Sequence, residues 1–144
     1  MDNLQQLKNG VKCASLADTA HWAWLFLQAA NSRDFSLALN GDLGTGKTTF
    51  VKALAKSLGI AQTVKSPSFN ICCIYDIPDG GKLVHIDAYR LSEPGQFDDL
   101  LIDEIAPSPR ILCVEWAENV RGAFEPDYVL DLDIIDGAHT IKML

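Results

Sequence analysis

The sequence lacks any long hydrophobic run and any sign of an export signal. No apolar stretch approaches the about 20 residues that a membrane-spanning helix requires. Residues 1–6 carry no basic region followed by an apolar stretch, which argues against a secretory signal. We therefore expect a cytoplasmic protein with no membrane attachment.

Cysteines are few, and none lies in a CxxC pair. The four are Cys13, Cys72, Cys73 and Cys113. Their spacing does not match a zinc ligand set. Each lies beside apolar residues, so we expect reduced core cysteines, with Cys72 and Cys73 on opposite faces of one strand.

Positive charge is also scarce. The 144 residues include 12 lysines and arginines against 19 aspartates and glutamates, a net charge of −7, and only four are arginines. Proteins that bind nucleic acid by themselves neutralise phosphates with basic side chains. The sequence therefore predicts no autonomous nucleic-acid binding, and any role in nucleic-acid metabolism would depend on a protein partner.

The strongest motif is Gly41–Thr48, GDLGTGKT, which matches the phosphate-binding loop G-x4-G-K-[ST] without deviation. Its glycines allow backbone conformations that a side chain would block, so that successive N–H groups can face phosphate oxygens. Lys47 can reach the β- and γ-phosphates, and the Thr48 hydroxyl can bind Mg2+. We therefore expect ATP and Mg2+ as cofactors.

The predicted elements around this loop have the order of an α/β protein. They are a strand at Val11–Ala14, a helix after Ser15, a strand at Phe35–Leu39, a helix at Lys47–Leu58, strands at Phe69–Ile77 and Leu83–Ala88, a helix within Glu93–Ile105, and strands at Ile111–Trp116, Tyr128–Ile135 and Thr140–Leu144. Turn signals separate the later strands into hairpins. The pattern predicts one P-loop ATPase domain over residues 1–144, with a mixed, partly parallel central sheet flanked by helices.

The first long helix has a clear start signal. Ser15 is the expected N-cap, and Asp18 stands at the position of a capping-box acid. The apolar residues predicted on its buried face are Leu16, Ala20, Ala23, Trp24 and Leu27.

Acidic residues end two apolar strands. Asp87 follows LVHI and Glu115 follows ILCV. Beside a phosphate loop, Asp87 could hold a magnesium-bound water, and Glu115 could coordinate the metal or position the attacking water. The sequence leaves open which carboxylate dominates. By strand periodicity His85 shares a face with Asp87, and we expect this lone histidine to be a core residue.

Missing motifs narrow the function class. The chain has no NKxD motif for guanine and no DxxG, which argues against a GTPase. The shortage of arginines weakens a small-metabolite P-loop kinase, although that class remains the alternative. A nucleotide-gated binding module that hardly turns over is a third hypothesis. We favour a compact ATPase whose hydrolysis serves another protein.

Four blocks in order resemble the TsaE family, also called YjeE. They are GDLGTGKTTF at Gly41–Phe50, VKSPSF at Val64–Phe69, HIDAYRL at His85–Leu91 and VEWAE at Val114–Glu118. The resemblance extends from about Ser15 to the end of the sequence. It implies an ATPase, slow alone, that is required for threonylcarbamoylation of tRNA adenosine 37. The implied partners are the proteins TsaD and TsaB, with tRNA contacted only through their complex.

The resemblance also implies roles for individual residues. Lys47, Asp87 and Glu115 would be catalytic, and Thr48, Glu115 and Asp87 would form the metal site. The residues expected to bind the nucleotide are Leu16, Gly41, Gly44, Thr45, Gly46, Lys47, Thr48, Thr49 and Trp116.

Two positions depart from the family pattern. Ser68 replaces the usual threonine and keeps the hydroxyl expected to sense the γ-phosphate. Gly137 is followed by Ala138 and His139 where many relatives carry an arginine. Any nucleotide contact at that place is therefore lost or made by His139.

Overall fold

A computed structural model describes residues 2–67 and 71–144 and shows a seven-stranded sheet with helices on both faces. The strands are β1 Val11–Cys13, β2 Phe35–Asn40, β3 Cys72–Asp76, β4 Lys82–Asp87, β5 Arg110–Glu115, β6 Tyr128–Ile135 and β7 Ala138–Met143. The helices are α1 Asn3–Asn9, α2 Leu16–Ala30, α3 Lys47–Ser57, α4 Pro94–Asp98 and α5 Ile102–Ile105, with a 3-10 helix at Ala117–Val120. None of these helices combines the length and the apolar character needed to cross a membrane.

The sheet is mixed, which confirms the predicted fold class. Its strand order is β1-β7-β6-β2-β5-β4-β3. The four central strands β6, β2, β5 and β4 run parallel, whereas β1, β7 and β3 pair antiparallel at the two sides. Parallel strands present their carboxyl ends at one edge, which is where loops of α/β sheets bind ligands.

Each face of the sheet buries its own apolar cluster. Helices α2 and α3 cover one face, where Phe26 makes edge-to-face contacts with Phe35, Phe50 and Tyr128. Helices α4 and α5 and the 3-10 helix contribute buried residues to the cluster on the other face. Buried strands between two helical layers explain the nearly continuous apolar runs of β4 and β5.

Helix α2 starts as predicted, but its reciprocal cap bond is displaced. The Ser15 hydroxyl accepts a hydrogen bond from the Asp18 backbone N–H at 3.2 Å. The Asp18 carboxylate accepts from the N–H of Ala14, at 2.8 Å, rather than from that of Ser15. The acid therefore holds the chain one residue before the cap and fixes how β1 enters the helix.

The predicted buried face of α2 is wrong at two positions. Its buried residues are Ala23, Phe26 and Leu27, whereas Leu16 and Trp24 are exposed. The large Phe26 ring sets the rotation of the helix because it fills the space between β2 and α3. Leu16 is left at the rim of the sheet, where it is free to contact a ligand.

The single helix predicted within Glu93–Ile105 is also wrong. Two short helices replace it, and Leu101 between them has φ +54°. Phe97 and Ile102 are both buried in the same cluster. On one continuous helix, residues five apart would point about 140° apart. The break at Leu101 lets both side chains reach the core.

The predicted turn of the last hairpin is confirmed, and another prediction lies outside the described residues. The Asp136–Gly137 turn joins β6 and β7, with both residues at positive φ. Ser68 and the first two residues of the strand predicted from Phe69 lie outside the described part of the chain. Within the described part, the corresponding strand β3 starts at Cys72. Helix α1, capped by Asp2, was not predicted.

The cysteines are all unpaired thiols. Cys13 and Cys113 are buried, whereas Cys72 and Cys73 are only partly so. As predicted, this vicinal pair packs against opposite clusters. Burial raises the pKa of the Cys72 thiol to about 11, which keeps it protonated at neutral pH.

Candidate nucleotide-binding site

The phosphate loop joins the carboxyl end of β2 to the start of α3. Gly41, Gly44 and Gly46 all have positive φ, at +147°, +81° and +102°. A Cβ atom at Gly41 would lie 2.4 Å from both the Leu132 carbonyl oxygen and the Thr45 hydroxyl. Only glycine fits there, because β6 extends past the end of β2 and packs against the loop.

Lys47 lies inside the loop and binds the loop's own backbone. Its ammonium group donates to the Asp42 carbonyl oxygen at 2.8 Å and also to the Gly41 carbonyl oxygen. Its Nζ lies 4.4 Å from the centre of the Trp116 ring, within range of a cation–π contact. The residue is 5% exposed.

Burial lowers the pKa of Lys47, and nearby carboxylates, Glu115 foremost, oppose that change. The charged form of Lys47 is therefore stabilised by its hydrogen-bond acceptors and by the nearby carboxylates. Phosphate oxygens would offer it stronger acceptors than the carbonyl groups that it now contacts.

Thr48, Glu115 and His85 form a chain of hydrogen bonds. The Thr48 hydroxyl, on the first turn of α3, donates to Glu115 Oε2 at 2.9 Å. His85 Nε2 lies 2.5 Å from the same carboxylate oxygen. Glu115 ends β5 and is only 4% exposed. Two hydrogen bonds therefore aim this buried carboxylate at the loop.

Asp87 lies next to Glu115 because the two residues pair in the β4–β5 register. Its Oδ1 accepts a hydrogen bond from the N–H of Tyr89 at 3.0 Å, which turns the chain at the end of β4. Asp87 is partly exposed, so its second oxygen can face a metal-bound water. The two predicted carboxylates thus lie side by side but in different surroundings.

Trp116 forms one wall of the phosphate end. It has φ +57° directly after β5. Its ring centre lies 5.1 Å from that of Tyr89, with the planes tilted by 58°. The Asn119 side chain donates to the Ala88 carbonyl oxygen at 2.9 Å and so ties the loop after β4 to the 3-10 helix.

The donor set fits Mg2+ delivered together with phosphates. Mg2+ prefers hard oxygen ligands and keeps several waters, so one or two protein oxygens suffice when phosphates share the metal. The residues that the structure describes contain no cluster of three or more His, Cys, Asp or Glu side chains able to cage a metal. Because the Thr48 hydroxyl donates its hydrogen bond to Glu115, its lone pairs stay free for a cation.

A second recess, the base cleft, opens beside the phosphate loop with a volume of about 250 Å³. Three segments distant in sequence line it, namely Cys13, Ala14, Ser15, Leu16, Thr19, Thr45, Gly46, Thr49, Leu132, His139, Thr140 and Ile141. Most of these side chains are apolar or carry only a hydroxyl. Such a lining suits a flat heteroaromatic ring.

His139 stands where the base cleft meets the phosphate loop. Its Nδ1 lies 3.4 Å from the Thr45 carbonyl oxygen. A Cβ at Gly46 would lie 3.7 Å from the same nitrogen. His139, which the sequence analysis offered as a substitute for an arginine expected after Gly137, therefore lies at the candidate site.

The predicted site residues fall into two groups at one end of the sheet. Leu16, Thr45, Gly46 and Thr49 line the base cleft. The residues at the phosphate end are Gly41, Gly44, Lys47, Thr48, Asp87, Glu115 and Trp116.

Sequence reasoning missed several wall residues of the base cleft, among them Cys13, Thr19, Leu132, Thr140 and Ile141. No local motif marks them. It also missed the contact between His85 and Glu115, because it placed His85 only in the core. The alternation of His85 with Asp87 was the available signal.

Comparison with known proteins gives one consistent result. The family model described as "Threonylcarbamoyl adenosine biosynthesis protein TsaE" matches residues 13–142. The chain is 31% identical to the tRNA threonylcarbamoyladenosine biosynthesis protein TsaE of Haemophilus influenzae, over 85% of this chain and 78% of that protein. It is 43% identical to the protein of the same name from Aquifex aeolicus, over 69% and 68% of the two chains. The crystal structure of Bacillus subtilis YdiB superposes with a TM-score of 0.71 and 30% identity, covering 92% of this chain and 81% of that one.

Proposed function

The chain belongs to the TsaE family, and on that premise we propose that it is a Mg2+-dependent ATPase of tRNA threonylcarbamoyladenosine biosynthesis that acts on a complex of TsaD and TsaB. The observation that carries the ATPase assignment is the hydrogen-bonded contact between Thr48 and Glu115 at the mouth of the loop. The pathway assignment rests on the names of the relatives.

ATP fits the site in one direction. The base enters the cleft beside Leu16 and His139, and the triphosphate follows the loop towards Thr48. Loop N–H groups and the start of α3 bind the phosphate oxygens. Lys47 exchanges the carbonyl oxygens of Gly41 and Asp42 for the phosphates, which are stronger acceptors.

The metal site lies where Thr48, Glu115 and Asp87 meet. A bound Mg2+ supplies charge neutralisation to the β- and γ-phosphate oxygens. Thr48 would offer its hydroxyl oxygen to the metal while its hydroxyl donates a hydrogen bond to Glu115. Asp87 holds or orients a water next to Glu115. Glu115 is the principal carboxylate in this proposal because it alone contacts the loop threonine directly.

The lone chain has few cations with which to stabilise the transferring phosphoryl group. Within the described residues, Lys47 is the only buried lysine or arginine. A cation added by a partner can raise phosphoryl-transfer rates by about 10³–10⁵-fold. Slow hydrolysis alone and faster hydrolysis with TsaD and TsaB follow from that shortage.

The deciding experiment is an ATPase assay with and without the TsaD–TsaB complex. We expect stimulation by the complex, and loss of about 10²-fold or more in Glu115→Ala. Asp87→Ala is expected to lose less. Glu104→Ala is the matched control, because that glutamate is exposed on α5 and neither lines the base cleft nor contacts the phosphate end.

Two outcomes would contradict the proposal. Strong phosphoryl transfer to a small hydroxyl or amine substrate by the lone chain would favour a metabolite kinase. Nucleotide-dependent capture of TsaD–TsaB with no hydrolysis would favour a binding module.

A further inference from the structure

His85 is a fully buried polar residue directly beneath the phosphate end. It is 0% exposed and lies on β4, opposite Cys73 on β3 and Cys113 on β5. Its Nε2 contacts Glu115 at 2.5 Å. Its Nδ1 is the one buried side-chain nitrogen or oxygen in the described residues that has no hydrogen-bond partner.

This pattern selects one form of the ring. A carboxylate only accepts hydrogen bonds, so the ring nitrogen that faces Glu115 must carry a proton. The surroundings offer Nδ1 no acceptor, so a proton there would be an unpaired buried donor. The tautomer with its proton on Nε2 leaves only a lone pair without a partner.

Packing alone does not account for this residue. An apolar side chain would fill the same place between Cys73 and Cys113 without leaving a buried nitrogen unpaired. Local violations of packing rules of this kind concentrate at functional sites. The single satisfied contact of the ring is the one with Glu115.

We propose that His85 is a positioning residue for the metal–nucleotide site. It donates from Nε2 to Glu115 Oε2 and so holds that oxygen at the Thr48 hydroxyl. Glu115 then accepts the hydrogen bond from the Thr48 hydroxyl, so the lone pairs of Thr48 remain directed to the cation. The proposal rests on the proposed function, because it requires Mg2+ and nucleotide to bind at this loop.

The contact resembles the outer partners of metal ligands in other proteins. Hydrogen bonds from such partners fix the orientation of a ligand, and their loss typically costs about 10–100-fold in metal affinity. His85 supports a carboxylate in the same manner. We therefore expect its loss to weaken metal binding more than nucleotide binding.

Two variants test the position of the donor. The amide nitrogen of His85→Gln reaches about as far as Nε2, whereas that of His85→Asn ends near Nδ1 and falls short of Glu115. The Kd of Mn2+ for each chain–ADP complex is measured from the loss of the free Mn2+ EPR signal. The Kd of ADP alone is measured by calorimetry in EDTA.

We expect the Gln variant to bind Mn2+ within about threefold of the unmodified chain, and the Asn variant about 10–100-fold more weakly. ADP affinity in EDTA should stay within about twofold in both, since Lys47 and the loop backbone are unchanged. Equal Mn2+ affinity in the two variants would overturn the proposal and leave His85 as a core residue.

A measurement on the unmodified chain guards against variants that fail to fold. Long-range 1H–15N spectra of chain labelled at histidine nitrogen identify the tautomer of each ring. We expect the proton on Nε2 of His85, and a proton on Nδ1 instead would overturn the proposal.

Failure of this proposal differs from failure of the proposed function. If the unmodified chain binds Mn2+ and ADP and hydrolyses ATP with its partners, equal Mn2+ affinities in the Gln and Asn variants contradict only the role proposed for His85. If the unmodified chain binds no metal with ADP, the proposed function fails first.

Discussion

The phosphate end and the base cleft of the site are built in different ways. At the phosphate end, the polar side chains already have partners within the chain, as Lys47, Thr48 and Glu115 show. The base cleft is an open recess with few polar contacts, assembled from three distant segments. The Thr48–Glu115 contact is therefore preorganised and Lys47 would only exchange acceptors, whereas the base cleft would gain most of its contacts when a ligand enters.

This difference separates two sources of affinity. Charged groups that are already held in place lose little entropy on binding, so we expect them to supply most of the binding free energy for a triphosphate. An open apolar recess contributes in proportion to the surface that the ligand buries. Substitutions at the phosphate end should therefore have larger effects than substitutions in the cleft.

The largest effect is expected from Lys47→Ala. It removes the buried ammonium group proposed to contact the phosphates and leaves two loop carbonyl oxygens without their donor. We expect ATP affinity, measured by calorimetry, to fall by on the order of 100-fold, or about 2–3 kcal/mol.

Lys52→Ala is the matched control, because Lys52 is exposed on the same helix. It should leave ATP affinity unchanged. Equal losses in the two variants would mean that general charge, rather than the preorganised contact, binds the phosphates.

The second prediction compares two glycines of the loop. Gly41→Ala places a Cβ against the Leu132 carbonyl oxygen, so urea denaturation should show a loss of about 2–3 kcal/mol in the free energy of unfolding. Gly44→Ala meets no atom within 4 Å and bears only the strain of φ +81°, a cost of about 1 kcal/mol. If the two losses were equal, the packing of β6 against the loop would not matter for its shape.

The third prediction concerns the base cleft. Leu16 is 76% exposed, so Leu16→Ala should leave the free energy of unfolding nearly unchanged. Loss of its contact with the base should weaken ATP binding about fivefold, or about 1 kcal/mol. Ile105→Ala is the control, because Ile105 is 49% exposed on α5 and does not line the cleft.

A loss of 100-fold in Leu16→Ala would break the comparison, because the cleft would then contribute as much as the phosphate end. The same calorimetric titrations decide this point.

The smallest effect is expected at Asp34, before β2 and at the opposite end of the sheet. Its carboxylate accepts hydrogen bonds from the Ser108 hydroxyl and the Arg110 backbone N–H, and these, with Ser108 first, lower its pKa. A depressed carboxylate pKa stabilises the fold above the unfolded value of about 3.9, and this contribution is lost as the pH falls below that value.

Asp34→Asn should therefore flatten the acid side of the stability curve, by less than about 1 kcal/mol because the group is solvated. Thermal melts between about pH 2 and 7, where carboxylates titrate, measure this change in the pH dependence of stability. ATP affinity at neutral pH should not change. A change would show that contacts which hold the sheet also hold the ligand.

The phosphate end could be predicted from the sequence because its loop residues are contiguous and its two acids end apolar strands. The parallel register then brings Asp87 and Glu115 side by side, as expected for neighbouring strands. The contact of His85 with Glu115 was missed, because the alternation of His85 with Asp87 signals it only once β4 and β5 are known to be neighbours.

The base cleft could be predicted only in part, through the resemblance that implied Leu16. Cys13 and His139 face each other across the β1–β7 pairing, and no local pattern announces a partner so distant in sequence. The break at Leu101 was missed for a related reason. Helical periodicity is read from one segment of the sequence. The break at Leu101 is explained only by a core that several segments form together.

The pairing of β1 with β7 has a consequence for the order of synthesis. Val11 pairs with Ile141, so β1 can pair with β7 only after the ribosome has made β7, much later in the sequence. The phosphate loop leaves the ribosome much earlier than β7, since chains grow from the amino end at about 5–20 residues per second. A nascent chain therefore carries its phosphate loop before the base cleft has all of its walls, and under the proposed function recognition of the whole nucleotide would begin only when translation reaches the β6–β7 hairpin.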